Sequence, residues 1–472
     1  MTDDRPRVDI TQVEDELTRK ELLRRAGFGA IVLVYGGTGV KKAIAGVPKY
    51  AHKQLAGTLR ILQWSHFVPA YDKWFDGTYT KEWGQKNDVD VQVDHIDLAQ
   101  LPARGAAEVA AQSGHDLFQF VAPPSAYEDK VIPLNDVVQE VTRKVGKIGR
   151  VGFKSTYNPR TKKYFGFPDN YVPDPVHFRK DLWAQIGLNP SSWDKVRQAA
   201  PKLKALGHPV GIGMSNELDS NMAGIALLQC YGGYIQNREA RVMINSKGTR
   251  EALKVMVDIF KRGMSDEVFA WIAASNNAGY TTGRLSLVLN AISIARTLEG
   301  YSNPATANPK IGDVTWIYPI PRGDVQRLGL EHVMGVYVIW KFAKNKAAAK
   351  KFLIDVQTNY TPHFVNSGFY NFPAWPGGVK GGMQRVRKLT AQDKHKPRGK
   401  YTILTTIAQK YTANVGHPGF SNAAVDEVWN KFLIPQLFAQ VAQGKMTPSE
   451  AARAAEREIK PIFAKWRAAK KI

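Results

Sequence analysis

Thiols are nearly absent from this chain: among 472 residues the sole cysteine is Cys230. One thiol excludes an intrachain disulfide and the thiolate clusters of zinc ribbons and iron–sulfur centres. The ten histidines are scattered, with no H-E-x-x-H or similar helical pair, so no metal site and no cofactor is expected. No G-x-S-x-G elbow stands out. Gly36-Gly37-Thr38-Gly39-Val40-Lys41-Lys42 lacks both the spacing and the Ser or Thr of a phosphate-binding loop. No apolar stretch reaches the roughly 20 residues that span a bilayer as a helix. Acidic side chains are scarce as well: 42 Asp+Glu face 65 Lys+Arg, for a formal net charge of +23.

That excess admits an anionic partner. It is concentrated late in the chain. Residues 380–400 carry eight Lys/Arg against one Asp, and 451–472 carry seven against two Glu. Neither run sits in the context of a nucleic-acid module. Both read as solvated helical and loop faces, and no nucleic-acid partner is expected. A polyanion-binding protein is the alternative that charge alone suggests.

Hydrophobic residues make up 44% and charged residues 23% of the chain, enough for sizeable cores in two or three domains or two large lobes. The first 45 residues read as an address. Thr18-Arg19-Lys20-Glu21-Leu22-Leu23 precedes a mild apolar run from Ala26 to Tyr35, and Ala43-Ile44-Ala45 supplies a small-x-small cleavage site. The motif is similar to a twin-arginine export signal with Lys20 in the second arginine's place. Cleavage is expected after Ala45, with a linker at 46–56.

Beyond it, strands and helices alternate. Thr58–Trp64, Asp88–Asp94 and His115–Val121 read as strands, and helices are expected over Tyr71–Lys86 and Leu101–Ala111. This order means βαβ units and a parallel sheet, with ligands beyond the carboxyl ends of the strands. Val176–Leu182 opens a second α/β section. It contains helices near Trp193–Leu206, Met222–Gln236 and Gly248–Arg262, and an apolar strand at Leu285–Ile292. Further strands fall at Asp313–Pro319 and His332–Trp340. The tail is helical, including Ala424–Gln443 and a capping box at Thr447-Pro448-Ser449-Glu450.

Several short segments, in order, carry a resemblance. They are His115-Asp116-Leu117-Phe118, Val131-Ile132-Pro133-Leu134, Lys163-Tyr164-Phe165-Gly166-Phe167-Pro168 and Phe178-Arg179-Lys180-Asp181-Leu182 with Ser192-Trp193. Later come Ala343-Lys344-Asn345-Lys346 and Met446-Thr447-Pro448. Together they resemble the bacterial extracellular solute-binding proteins of the sugar-binding family, the maltodextrin-binding-protein-like family 1. His115 and Arg179 depart from the family's usual Pro and Asn. The resemblance implies an α/β, two-lobed periplasmic-binding-protein fold (type II, Venus-flytrap), with hinge crossovers between the lobes. By this mapping the first lobe is 57–166 plus 292–335, and the second is 167–291 plus 336–472.

The resemblance also implies that the chain is no enzyme but a monomeric periplasmic protein. It would capture a sugar, oligosaccharide or polyol between its lobes and deliver it to the permease subunits of an ABC transporter, driven by a separate ATPase. An acidic sugar or glycerol phosphoester is the alternative solute. A carbohydrate-active enzyme is the other alternative; it would need two carboxylates roughly 5–10 Å apart.

Sugars call for flat aromatic faces and planar polar groups. Trp64 and His66 end the first strand. Asp116 and Phe120 lie on the third. Asp169, Asn170 and Tyr171 follow the crossover. Asn216 and Asn290 stand at strand ends in the second section, Trp271 offers a stacking face, and His332 and Tyr370 return towards the cleft. These twelve are the candidate ligand-binding residues.

Overall fold

The structure is a computed structural model that describes residues 55–472. The expected export signal and most of the expected linker lie outside the described residues.

Among the described residues, thirteen strands form two main sheets and one hairpin. They are β1 (Thr58–Trp64), β2 (Asp90–Ile96), β3 (Leu117–Phe120), β4 (Tyr157–Asn158), β5 (Lys163–Tyr164), β6 (Phe167–Pro173) and β7 (Val176–Arg179). Then follow β8 (Val210–Gly211), β9 (Leu287–Leu289), β10 (Thr315–Tyr318), β11 (Gly329–Ile339), β12 (Phe372–Pro373) and β13 (Thr412–Ala413). The first sheet has the order β12-β6-β11-β3-β1-β2, with β13 pairing the start of β11. The second has the order β10-β7-β9-β8. β4 and β5 make the separate hairpin.

β1 pairs parallel with both β2 and β3, as expected from the βαβ order. The expected helix over Tyr71–Lys86 is present as one helical run from Pro69 to Asn87, with a π-turn at Phe75–Tyr79. β11 is buried along all eleven residues because helices cover both faces of the sheet around it. In the second lobe, helix Leu218–Cys230 is likewise buried at every position. A helix this apolar is an interior element, and it carries its N-terminal residues into the middle of the protein.

The chain leaves the first sheet at the end of β6 and enters the second at β7 through Asp174-Pro175. It returns between β10 and β11, across residues 319–328. The sheets therefore divide the chain differently from the expected lobe ranges. Residues 315–318, assigned to the first lobe, pair with β7 in the second sheet. β11 and β12 lie in the first sheet. Helix Lys346–Thr358, assigned to the second lobe, packs on the first-lobe helix Asn135–Val145. The tail then crosses once more, and helix Leu433–Ala442 packs on helices 218–230 and 247–263.

The expected helix 424–443 is two helices, Ala423–Asn430 and Leu433–Ala442, because Phe432 adopts a left-handed φ of 53°. The final helix, Pro448–Ala468, opens as expected. Thr447 Oγ1 accepts from Glu450 N at 3.2 Å, and Glu450 Oε2 accepts from Thr447 N at 2.8 Å.

Candidate functional site

A buried polar group assembles where the crossovers meet. Asp174 sits between Pro173 and Pro175, in a fixed extended linker between β6 and β7. On β11 the register against β6 shifts between Glu331 and Met334, so His332 occupies an irregular position between two regular stretches. From there its ring bridges the lobes. His332 Nδ1 lies 3.1 Å from Asp174 Oδ1 at the crossover. His332 Nε2 lies 3.0 Å from Asp219 Oδ1 at the start of helix 218–230, a charge contact without hydrogen-bond alignment. Burial alone would lower the imidazole pKa, but Asp219 and Asp174 outweigh it and raise it to about 10. The ring is therefore imidazolium at neutral pH. Burial also raises the Asp174 pKa, against the pull of His332.

A fan of amides surrounds Asp219. Asn276 Nδ2 donates to Asp219 Oδ2 at 2.5 Å, and Asn290 Nδ2 lies 3.3 Å from the same oxygen. Asn290 Nδ2 also lies 2.9 Å from Asn276 Oδ1 and 2.6 Å from Asn277 Oδ1. Glu217 caps the helix by accepting from the backbone N–H groups of Asp219 and Ser220. Burial, and then the charge of Asp219, push its pKa up to about 8.

An aromatic wall closes the first-lobe side. The rings of Trp64 and His66 are 4.8 Å apart, as are those of His66 and Tyr370. His66 Nδ1 accepts from Val68 N at 2.9 Å, which leaves Nε2, 3.1 Å from Asn371 Oδ1, as the protonated nitrogen. Burial lowers its pKa to about 4, so this histidine is neutral. Tyr370 joins the two halves. Its hydroxyl pKa is raised by burial first, and then by the charges of Asp219 and Asp174.

Three buried atoms of this group have neither a hydrogen-bond nor an ion-pair partner among the described residues: Tyr370 Oη, Asn290 Oδ1 and Asp174 Oδ2. Leaving such atoms unpaired costs about 1–3 kcal/mol each, so a concentration of them calls for a partner.

The structure thus brings together Trp64, His66, Asn290, His332 and Tyr370. Asn216 and Trp271 line a cavity of about 410 Å³ that none of these five lines. The other expected residues are held elsewhere. Asp116 lies just ahead of β3, at the opposite end from the cleft. Its carboxylate accepts from the backbone of Arg60 at 3.1 Å and of Asn345 at 2.7 Å, so it ties strand and helix together. Phe120 packs against Phe118, Tyr127 and Trp340 in the first-lobe core. The Tyr171 hydroxyl reaches Ala408 O at 3.5 Å.

Asp169 and Asn170 belong to a polar cluster inside the first lobe. Asp169 accepts from Asn170 Nδ2 at 2.7 Å and Gln357 Nε2 at 3.1 Å, and burial raises its pKa to about 7. Sequence reasoning missed Asp174, Asn276 and Asn277. The Pro-Asp-Pro crossover and the Asn pair opening a helix were the available signals.

One further cluster, Glu299, Asp393 and His395, has metal-like spacing. Arg296 already pairs both carboxylates, at 2.7 and 3.0 Å, and Lys400 lies 2.5 Å from Glu299. A divalent cation would meet two buried positive charges there. The cluster reads as an ionic brace.

The family model of the bacterial extracellular solute-binding proteins matches residues 65–356. The chain belongs to this family. Curated relatives include proteins of Brucella abortus and Brucella suis whose names call them binding proteins and no more. They are 23% identical over 214 residues, 44% of this chain, and the match spans half the length of those relatives.

Among solved structures, an ABC transporter solute-binding protein from Thermotoga lettingae bound with tagatose superposes with a TM-score of 0.70. It is 18% identical, over 86% of this chain and 100% of that one. One from Agrobacterium radiobacter in complex with ribitol gives 0.68 at 18% identity, over 87% and 100%. Maltose-bound MalE3 of T. maritima gives 0.68 at 15%, over 86% and 99%. The solute-binding family's two-lobed fold is therefore the fold of this chain. The family and these neighbours are binding proteins rather than enzymes.

Proposed function

We propose that this chain is the solute-binding component of an ABC importer, and that it captures a neutral sugar or polyol between its lobes. The observation that carries this reading is the set of unpartnered polar atoms at the crossovers. It mixes two acceptors, Asn290 Oδ1 and Asp174 Oδ2, with the hydroxyl of Tyr370, which can donate. Hydroxyl groups both donate and accept, so a polyol can satisfy such a mixture. Trp64 and the neutral His66 ring, tilted 34° to one another, offer aromatic surface to its C–H groups.

The charge of this group separates the candidate solutes. Two carboxylates flank one imidazolium, and none of the side chains assembled here is Lys or Arg. A uronate or phosphoester would meet a neutral-to-negative group of side chains, so the acidic alternative is disfavoured in spite of the net charge of +23. The ligands bound in three of the similar structures, tagatose, ribitol and maltose, support the neutral choice.

Because the polar group draws on β11 and Tyr370 from one lobe and on Asp219 and Asn290 from the other, a solute contacts both only when the lobes are together. Binding then selects the closed state, which is the form delivered to the permease. Among the described residues no helix is long and apolar enough to cross a membrane. Export to the periplasm, a monomeric state and a separate ATPase complete the proposal.

A thermal-shift screen over neutral sugars, polyols, uronates and phosphoesters tests it. A true solute at 100 times its dissociation constant stabilises the protein by about 2.7 kcal/mol. Stabilisation by anionic compounds alone would overturn the neutral reading.

A further inference from the structure

The two basic runs late in the chain differ in what the fold does with them. In 451–472, Lys460 pairs with Glu456, Lys465 with Glu427 and Lys471 with Asp129, and Arg467 donates to Ala240 O at 2.8 Å. The run 380–400 is treated otherwise. It forms the helix Gly382–Ala391 and the loop behind it. Its only carboxylate, Asp393, is turned inward, 3.0 Å from the buried guanidinium of Arg296. Lys400 is turned inward as well, 2.5 Å from the buried Glu299. What remains outside is cationic: Lys380, Arg387, Lys388, Lys394, Lys396 and Arg398 are all exposed. Lys396 alone of these six has an ion-pair partner among the described residues, Asp313 at 3.9 Å.

The face is fixed at both ends. Lys380 N donates to Thr361 Oγ1 at 3.1 Å, Val386 and Thr390 pack the helix inward, and the Tyr401 hydroxyl donates to Glu299 at 2.7 Å. With its backbone already ordered, this face needs no folding step in order to bind. No large apolar side chain of the stretch is exposed, and it contains no Trp, Tyr or Phe. It therefore has nothing to insert among acyl chains and nothing to stack on bases. The helix alone is about 15 Å long. Cations spread along it and the following loop fit a continuous negative surface better than one small anion.

We propose that this face docks the protein on an anionic phospholipid surface, through headgroup contact alone. The importer reading above is used only to say where such a surface is met, since a protein that hands its solute to a membrane permease works beside that membrane. Each cation near an anionic bilayer strengthens attachment about five-fold, and clusters of roughly four to eight suffice for lipid binding.

Co-sedimentation of the mature protein with vesicles tests the inference, using phosphatidylcholine alone and phosphatidylcholine mixed with an equal part of phosphatidylglycerol. Binding is expected to the mixed vesicles only, at about 0.1 M salt, and should be gone at about 1 M, where the screening length falls to about 3 Å. Arg387→Gln, Lys388→Gln and Lys394→Gln combined should weaken it roughly a hundred-fold. Arg453→Gln, Arg457→Gln and Lys470→Gln combined remove the same charge from the other run, and should cause a loss roughly ten-fold smaller. All six side chains are exposed, so both variants should keep the melting transition and the sugar affinity of the wild type.

Equal binding to both vesicle types, binding that survives high salt, no binding at all, or equal losses in the two triple variants would overturn the docking face. Should a triple variant lose its melting transition, the lipid and salt comparisons on the unaltered protein decide. Release by glycerol phosphate at the vesicles' own phosphate concentration, or attachment to duplex DNA and not to the vesicles, would overturn the choice of a lipid surface. The solute-binding reading is decided separately, by sugar titration, and survives any of these results.

Discussion

Replacing His332 by glutamine should be among the most damaging single changes in the second lobe's approach to the hinge. His332, Asp174 and Asp219 are all at least nineteen-twentieths buried, and the imidazolium is the charge that both carboxylates face. Glutamine keeps much of the volume but removes the cation, leaving two carboxylates together without a positive partner. Breaking a buried ion pair in this way costs about 3–5 kcal/mol.

Urea unfolding at pH 7.5, followed by circular dichroism, would measure it, with Asp174→Asn as a second variant. The double variant should be more stable than His332→Gln alone by more than 1 kcal/mol, because one of the stranded charges is gone. The pH dependence gives an independent sign. The folded pKa, about 10, lies above the ordinary value of 6.5. The stabilisation is therefore complete below about 6.5 and fades as the pH rises through about 10. Between pH 7.5 and 10.5 the wild type should lose stability relative to the variant. A loss below about 1 kcal/mol at pH 7.5, or a difference that does not change with pH, would refute the bridge.

Other expectations are as direct. Tyr370→Phe removes a buried hydroxyl that has no hydrogen-bond partner among the described residues, so melting should be unchanged or slightly higher while sugar affinity falls about ten-fold, close to one hydrogen bond. Asp169 has its folded pKa raised from 3.8 to about 7, so its charge weighs against the fold increasingly from pH 4 to pH 7 and fully above. Asp169→Asn should then stabilise by roughly 1–3 kcal/mol at pH 8 in urea unfolding, with the gain vanishing near pH 4. Arg296→Met takes the guanidinium from Asp393 and leaves Glu299 to Lys400 alone, and should cost about 3–5 kcal/mol in the same assay.

Much of the fold was legible because it is written locally. Thr58–Trp64 alternates and ends as read, Leu101–Ala111 keeps its helical bounds, and the capping box opens the last helix where its four residues stand. Pairing between distant segments was not legible. Thr315–Tyr318 reads as a strand, but nothing within it says that β7 rather than the first sheet will be its partner. The break at Phe432 was signalled by Pro435 three residues on, which fits the first turn of a new helix but not the interior of a continuous one.

The site divided along the same line. Residues at strand ends could be named, but burial and register chose among them. Asp116 fell ahead of its strand, where backbone N–H groups claimed it, and Phe120 faced the core. Asp169 and Asn170 pointed into the first lobe. His332 reached the pocket through an irregularity in β11 that local pattern does not reveal, and Asp174 was hidden between two prolines.

The most direct measurement is calorimetric titration of ligand-stripped protein with neutral sugars and polyols beside uronates and phosphoesters, repeated on Asn290→Ala. The account predicts saturable binding of a neutral compound that is lost, or weakened at least ten-fold, in the variant. Binding of anionic compounds alone, or neutral binding indifferent to Asn290, would contradict it.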